Sequence, residues 1–333
     1  MVGALSLVLL AGVMNGSFAA PMKRIRGWQW EHTWLVWSFL GMVVIPSIVG
    51  VATVPDLVSV YKIAGPSVLI HTAFDGMLWG VGTVLFGLGI SRVGLALGFA
   101  IIIGTSSSLG VLVPLVCLHR ETLVTKVGIE TLLGAGVLLA GVAACAQSGR
   151  LRSARLTRRL GRASSRAGIS ICLLSGLGSS FMSLGVSQAT PIIRAAENLG
   201  ATRAFSPNAI WPVILSGGFI VNAAYCAILM IRRSNLSGMR QSTIANIGLV
   251  TTMAILWSGS NFLYSTGAYA MGSLGLILGW PVFMGTIVLS ANGWGIVTGE
   301  WREPDRNAVI WMAIGCLLLV AGIWTVALAG NNA

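Results

Sequence analysis

Charge is scarce in this chain of 333 residues: charged side chains make up only 9%, and just nine of them are Asp or Glu. A soluble domain carries about 25% charged residues, so a water-facing shell cannot be built from this inventory. Histidine is rarer still, at three. The five cysteines (Cys117, Cys145, Cys172, Cys226 and Cys316) lie in or beside apolar runs, with no C-x-x-C pair. That spacing speaks against a zinc site and a disulfide framework and leaves the thiols as small packing residues. What is abundant is apolar surface: 55% of residues are hydrophobic and the mean hydropathy is +0.86. The expected solvent is lipid. In such a chain the net charge of +12 sets topology rather than binding nucleic acid.

Crossing a bilayer takes about 20 apolar residues in a helix. Runs of that kind fall near 2–21, 32–54, 67–90, 93–117, 127–146, 168–190, 208–231, 246–271, 273–298 and 307–329. They are continuous rather than alternating, which predicts helices and not a barrel. The eighth and ninth nearly merge at Met271-Gly272-Ser273. The first ends in Ser17-Phe18-Ala19-Ala20, like a signal-peptide cleavage site, but no Lys or Arg precedes it and Lys23, Arg24 and Arg26 follow. It therefore reads as a retained helix that enters from outside. Loops after odd-numbered spans hold 16 Lys or Arg and those after even-numbered spans hold 5. By the positive-inside rule the odd loops are cytoplasmic and both termini extracytoplasmic. Seven arginines between Arg150 and Arg166 sit at the midpoint and suit a linker against anionic headgroups. The expected organisation is a first five-helix repeat over 1–150, a linker over 151–167 and a second five-helix repeat over 168–333.

The two halves share a pattern. Leu78-Trp79, Leu85-Phe86, Gly89 and Gly94 return 178 residues later as Leu256-Trp257, Leu263-Tyr264, Gly267 and Gly272. An odd number of helices per half inverts the second copy. The expected fold is an all-α membrane protein of ten transmembrane helices in two inverted five-helix repeats, an architecture that carries a midplane site in secondary transporters. Gly12-x3-Gly16, Gly76-x3-Gly80 and Gly94-x3-Gly98 are small-residue spacings that let helices touch.

Asp75 alone among the acidic residues falls well inside a span, and His71 precedes it by one turn on the same face. A carboxyl group there is expensive. Three roles remain open for it: proton coupling together with His71, accepting a hydrogen bond from a sugar hydroxyl, or holding a neighbouring helix. Trp79 continues its stripe, and the matching stripe on the eighth span carries Trp257, Ser260, Asn261 and Tyr264. Rings that pack on C–H faces beside hydroxyl and amide groups suit a sugar, as does the amide of Asn15 on the first span. Gln188, Asn222 and Asn292 lie closer to span ends and rank lower.

The first loop, Ala20-Pro21-Met22-Lys23-Arg24-Ile25-Arg26-Gly27-Trp28-Gln29-Trp30-Glu31-His32-Thr33-Trp34, resembles the signature of the L-rhamnose–proton symporter family within the drug/metabolite transporter superfamily. Trp79-Gly80 with Gly82, Gly87 and Gly94 is similar to that family's third helix, and Trp280 through Gly295 to Glu300-Trp301 to its ninth. The resemblance implies a ten-helix bacterial inner-membrane importer driven by a proton gradient, with no bound cofactor. It also implies that Thr83 and Ser260 are substrate-binding residues standing in the pocket where the family carries amides, and that Asp75 replaces a small residue. Glu31 matches the signature and is expected in a gate or cytoplasmic ion pair with Lys23 or Arg26.

The reading is a proton-coupled importer of a monosaccharide, L-rhamnose or a related 6-deoxyhexose, working by alternating access and not an enzyme. Its partners are the sugar, protons and the bilayer, with no nucleic acid, metal or obligate protein partner. The expected cavity is lined from spans 1, 3, 6, 8 and 9. Rival readings are an exporter of the same superfamily, a membrane-embedded enzyme using His71 and Asp75, and a non-transporting sensor.

Overall fold

The computed structural model describes residues 2–93, 101–106, 109, 125–157, 162–234, 239, 243–272, 275–297 and 306–331. Among them there is no strand. The main helices are α1 (Val2–Ser17), α2 (Trp30–Phe39), α3 (Ile45–Thr53), α4 (Leu57–Ala64), α5 (Pro66–Val93), α6 (Lys126–Thr157) and α7 (Arg162–Gln188). They continue with α8 (Thr190–Asn198), α9 (Trp211–Arg233), α10 (Thr243–Ala270), α11 (Gly275–Val297) and α12 (Arg306–Asn331). Nine helical segments among the described residues are long and apolar enough to cross a membrane. They coincide with nine of the expected spans; the other, at 93–117, lies largely outside the described residues, as does Gly94-x3-Gly98. Apolar side chains face outward without cover, with Ile244 90%, Val297 76% and Leu317 71% exposed. Such a surface is stable against hydrocarbon and not against water. The protein is an all-α, multi-pass membrane protein.

Local chemistry places the breaks. Asp56 adopts φ 44° and caps α4 by accepting from Ser59 N at 3.2 Å. These contacts from Ser59 hold its carboxyl below the usual range. Gly65, at φ 86°, turns the chain into α5, and Gly272, at φ 89°, separates α10 from α11; both conformations favour glycine. Between α2 and α3 the helix widens into a π turn over Leu40–Val44. Pro46 explains it: a proline has no N–H to give, so a carbonyl one turn back is released. Gly41 O is the one taken up elsewhere, accepting from Ser258 Oγ of α10 at 2.6 Å.

Small residues set the helix crossings. A Cβ at Gly76 on α5 would stand 1.8 Å from Ile214 O on α9, and one at Gly217 would stand 2.0 Å from Ala73 O. Gly12 and Gly16 of α1 press on Thr286 and Ile287 of α11, Gly82 meets Gly178, and Gly141 meets Leu319. Backbones this close gain dispersion and exclude lipid. The principal pairs, α5 with α7 and α9, α1 with α10 and α11, and α6 with α12, each join the early half of the chain to the late half.

Candidate substrate cavity

Where α1, α5, α7, α9, α10 and α11 converge, a cavity of about 120 Å³ remains. Half of its lining residues are rings: Trp79, Trp211, Trp257, Tyr264, Trp280 and Phe283. Met182, Val186, Met284 and Ile287 complete the apolar lining, and the amides of Asn15 and Asn261 are its polar groups. A cavity of about 150 Å³ admits a benzene ring, so this one is somewhat smaller than the space that a six-membered ring fills. The methionines on its wall are unbranched and can yield to a larger occupant.

The rings hold one another. Trp79 and Trp257 stack with centroids 5.8 Å apart and planes 22° from parallel. Tyr264 stacks on Phe283 at 4.8 Å and meets Trp280 edge-on at 5.7 Å. Trp211 is fixed from outside the cavity by donating Nε1–H to Ser265 Oγ at 3.1 Å. On the polar side, Asn15 Nδ2 donates to Ser260 Oγ at 2.8 Å, and Ser260 in turn donates to Trp257 O. Ser260 thus orients Asn15 and is not itself on the wall. Two lining residues carry a buried donor with no partner, Asn261 Nδ2 and Trp280 Nε1, each with almost no surface of its own open to the space. A buried donor left unpaired costs about 1–3 kcal/mol, so the pair amounts to a standing demand for acceptor oxygens.

Of the residues singled out in the sequence, Asn15, Trp79, Trp257, Asn261 and Tyr264 line the cavity. Thr83 does not; its one hydroxyl hydrogen is shared between Gly80 O at 2.7 Å and Asn222 Oδ1 at 3.1 Å. Asn222, ranked low for its place near a span end, is fully buried and ties three helices, since Trp34 Nε1 also donates to its Oδ1 at 2.9 Å. Asp75 is buried but is not part of the lining. It lies behind the wall, where a Cβ at Gly185, between Met182 and Val186, would stand 2.9 Å from Asp75 Cβ. His71, one turn away, is exposed. Trp211 was missed, because it stands at a helix start that hydropathy alone reads as a boundary.

Glu31 is fully buried, and it forms an ion pair with a residue that the sequence did not suggest. Arg233, at the end of α9, donates Nη1–H to Glu31 Oε2 at 3.0 Å and to Oε1 at 3.3 Å. Neighbours in sequence are natural suspects for an ion pair. Here the early and late helices bring together residues 202 apart.

The chain is similar to known proteins along almost its entire length. An L-rhamnose-proton symporter of Mannheimia succiniciproducens is 27% identical over 323 residues, which is 95% of this chain and 94% of that protein. The L-rhamnose-proton symporters of Salmonella paratyphi B and Salmonella newport are each 27% identical over 320 residues, covering 94% of this chain and 93% of theirs. These relatives are transporters and not enzymes. The family model described as L-rhamnose-proton symport protein (RhaT) matches residues 2–331, and the chain belongs to that family.

Proposed function

We propose that this protein imports a monosaccharide, L-rhamnose or a related 6-deoxyhexose, across a bacterial inner membrane together with protons, by alternating access. The observation that carries this reading is the ring-walled cavity with two unmet N–H donors. Indole and phenol faces take the C–H side of a pyranose, while Asn15, Asn261 and Trp280 serve its hydroxyls. The methyl group of a 6-deoxy sugar suits the Met182, Met284 and Ile287 side of the wall. No ionised side chain lines the cavity among the described residues, which disfavours a uronate or an amino sugar. The relatives, L-rhamnose-proton symporters, point the same way.

Two inverted five-helix repeats, ten helices in all, supply the mechanics, with both termini extracytoplasmic. In support, Trp79 and Trp257, which correspond under the 178-residue offset, stack on one another in the wall of the cavity. Rocking of pseudo-symmetric halves exposes one central site to each side in turn. The energy source is the proton gradient, with no resident cofactor and no obligate protein partner. Asp75 is the proton carrier of this scheme, placed close behind Trp79 so that its charge state and the occupancy of the cavity bias the same equilibrium.

Purified protein should be raised in thermal midpoint by L-rhamnose or a 6-deoxyhexose and not by uronates, since a ligand selective for the folded form stabilises it. No shift with any monosaccharide refutes the reading. Trp257→Ala should weaken sugar binding by about tenfold or more, from loss of stacking and of apolar contact, with the helical circular dichroism retained; unaltered affinity refutes the stacking role. Asp75→Asn in proteoliposomes should abolish uphill accumulation while sugar counterflow continues. Undiminished accumulation removes Asp75 from coupling.

A further inference from the structure

Five indole rings run in an unbroken column away from the cavity. From Trp79 the column passes to Trp257 at 5.8 Å, to Trp37 at 5.1 Å, to Trp34 at 4.4 Å and to Trp30 at 5.0 Å. Trp30, Trp34 and Trp37 are spaced four and three residues apart, so they form a single stripe along α2. Packing alone would account for stacked rings, but it does not account for their polar edges. Trp37 is only 2% exposed, and its Nε1–H has no partner. The next ring down, Trp34, is served by Asn222.

The unmet groups have a distribution. Among the described residues six buried side-chain polar atoms lack a partner, and four of them are nitrogens: Asn261 Nδ2, Trp280 Nε1, Trp37 Nε1 and His32 Nε2. All four belong to the cavity or to α2. His32 Nδ1 accepts from Gln29 N at 3.2 Å, which leaves its hydrogen on the unpaired Nε2. Beside it, at the foot of the column, Glu31 and Arg233 close α2 against the end of α9. Donors that cost free energy when unmet, set along a ring-faced strip and shut at one end by an ion pair, are what a sealed sugar path requires.

We infer that the sugar moves between the cavity and the cytoplasm along the indole stripe of α2, with Trp37 as a second saccharide station and the Glu31–Arg233 pair as the latch that seals it. This rests on the transport function proposed above. In the sealed form the Trp37 ring packs edge-on against Trp257, one ring beyond the cavity wall. When α2 and α9 part, the Trp37 face is uncovered and its Nε1–H meets a sugar hydroxyl or ring oxygen. The station is one of passage: it lowers a barrier between the central site and water and does not set equilibrium affinity.

The test is Trp37→Phe, which keeps a ring in the packing and removes the N–H. Sugar affinity of the purified protein and its thermal midpoint are measured beside L-rhamnose counterflow in proteoliposomes. The expected result is counterflow about tenfold slower, the worth of one hydrogen bond in a transition state, with affinity within about twofold and the midpoint unchanged. Wild-type counterflow in Trp37→Phe overturns the inference and leaves the transport function intact. A tenfold loss of affinity also overturns it, since Trp37 then belongs to the central site. If the wild-type protein binds no monosaccharide, the function itself fails and this inference with it.

Discussion

Gly76→Val should leave almost no assembled protein in the membrane. The added Cβ would lie 1.8 Å from the carbonyl oxygen of Ile214, and a carbonyl on a facing helix cannot swing aside as a side-chain end can. The two helices have to separate, and the reciprocal contact of Gly217 on Ala73 O separates with them. Overpacking a core costs about 1–3 kcal/mol when neighbours can adjust; a backbone collision between two helices belongs above that range. Against a total stability of about 5–15 kcal/mol, the variant falls near or below the threshold for folding. Fluorescence-detected size-exclusion of detergent extracts measures this directly. Gly136→Val is the control, because nothing lies within 4 Å of a Cβ at Gly136. Equal monodisperse yield from the two variants refutes the account of this crossing.

Arg233→Ala and Glu31→Gln remove the same ion pair and should not cost the same. Arg233 keeps 55% of its side chain exposed, whereas Glu31 keeps none. Taking away the guanidinium removes a counter-charge from a carboxylate that stays in the interior, a cost that reaches about 3–5 kcal/mol when a buried charge is left with no compensation at all. Taking away the carboxylate's charge leaves an arginine that reaches water, and a neutral amide in the interior. Arg233→Ala should therefore lower the thermal midpoint far more than Glu31→Gln, and the double variant should recover part of what Arg233→Ala loses. If both single variants lower the midpoint equally, the asymmetry of burial is not what governs this pair. In transport, both should raise the fraction of protein open to the cytoplasm, read as faster reaction of a cysteine placed beside the stripe with a thiol reagent on that side.

Much of the fold was legible because hydropathy is a local property. A run of apolar residues declares its span wherever it packs, so nine spans were placed within a few residues. The cavity was legible in part for a similar reason: Trp79 and Trp257 announced themselves by recurring at a fixed offset, and Asn15 and Asn261 by being amides in lipid. What stayed hidden depends on how helices meet. Glu31 finds Arg233 because α2 lies against the far end of α9, and no spacing encodes that. Asp75 drew notice for its chemistry, yet Gly185 and its neighbours set it behind the wall. Ser260 and Thr83 looked like ligands for a solute and turned out to hold other side chains. Asn222 was discounted for its position near an end, though three helices meet on it.

The π turn at Leu40–Val44 carries a last implication. It stores one surplus residue in a helix whose halves point different residues at different neighbours. An α-helix advances about 100° per residue, so re-pairing those five residues as α-helix would twist Trp30, Trp34 and Trp37 by that angle relative to Pro46 and everything after it. The indoles would leave Asn222 and Trp257 together, in a single screw-like motion, while α3 stayed where it was. The hydroxyl of Ser258, bound to Gly41 O, is the pin that such a motion would have to draw.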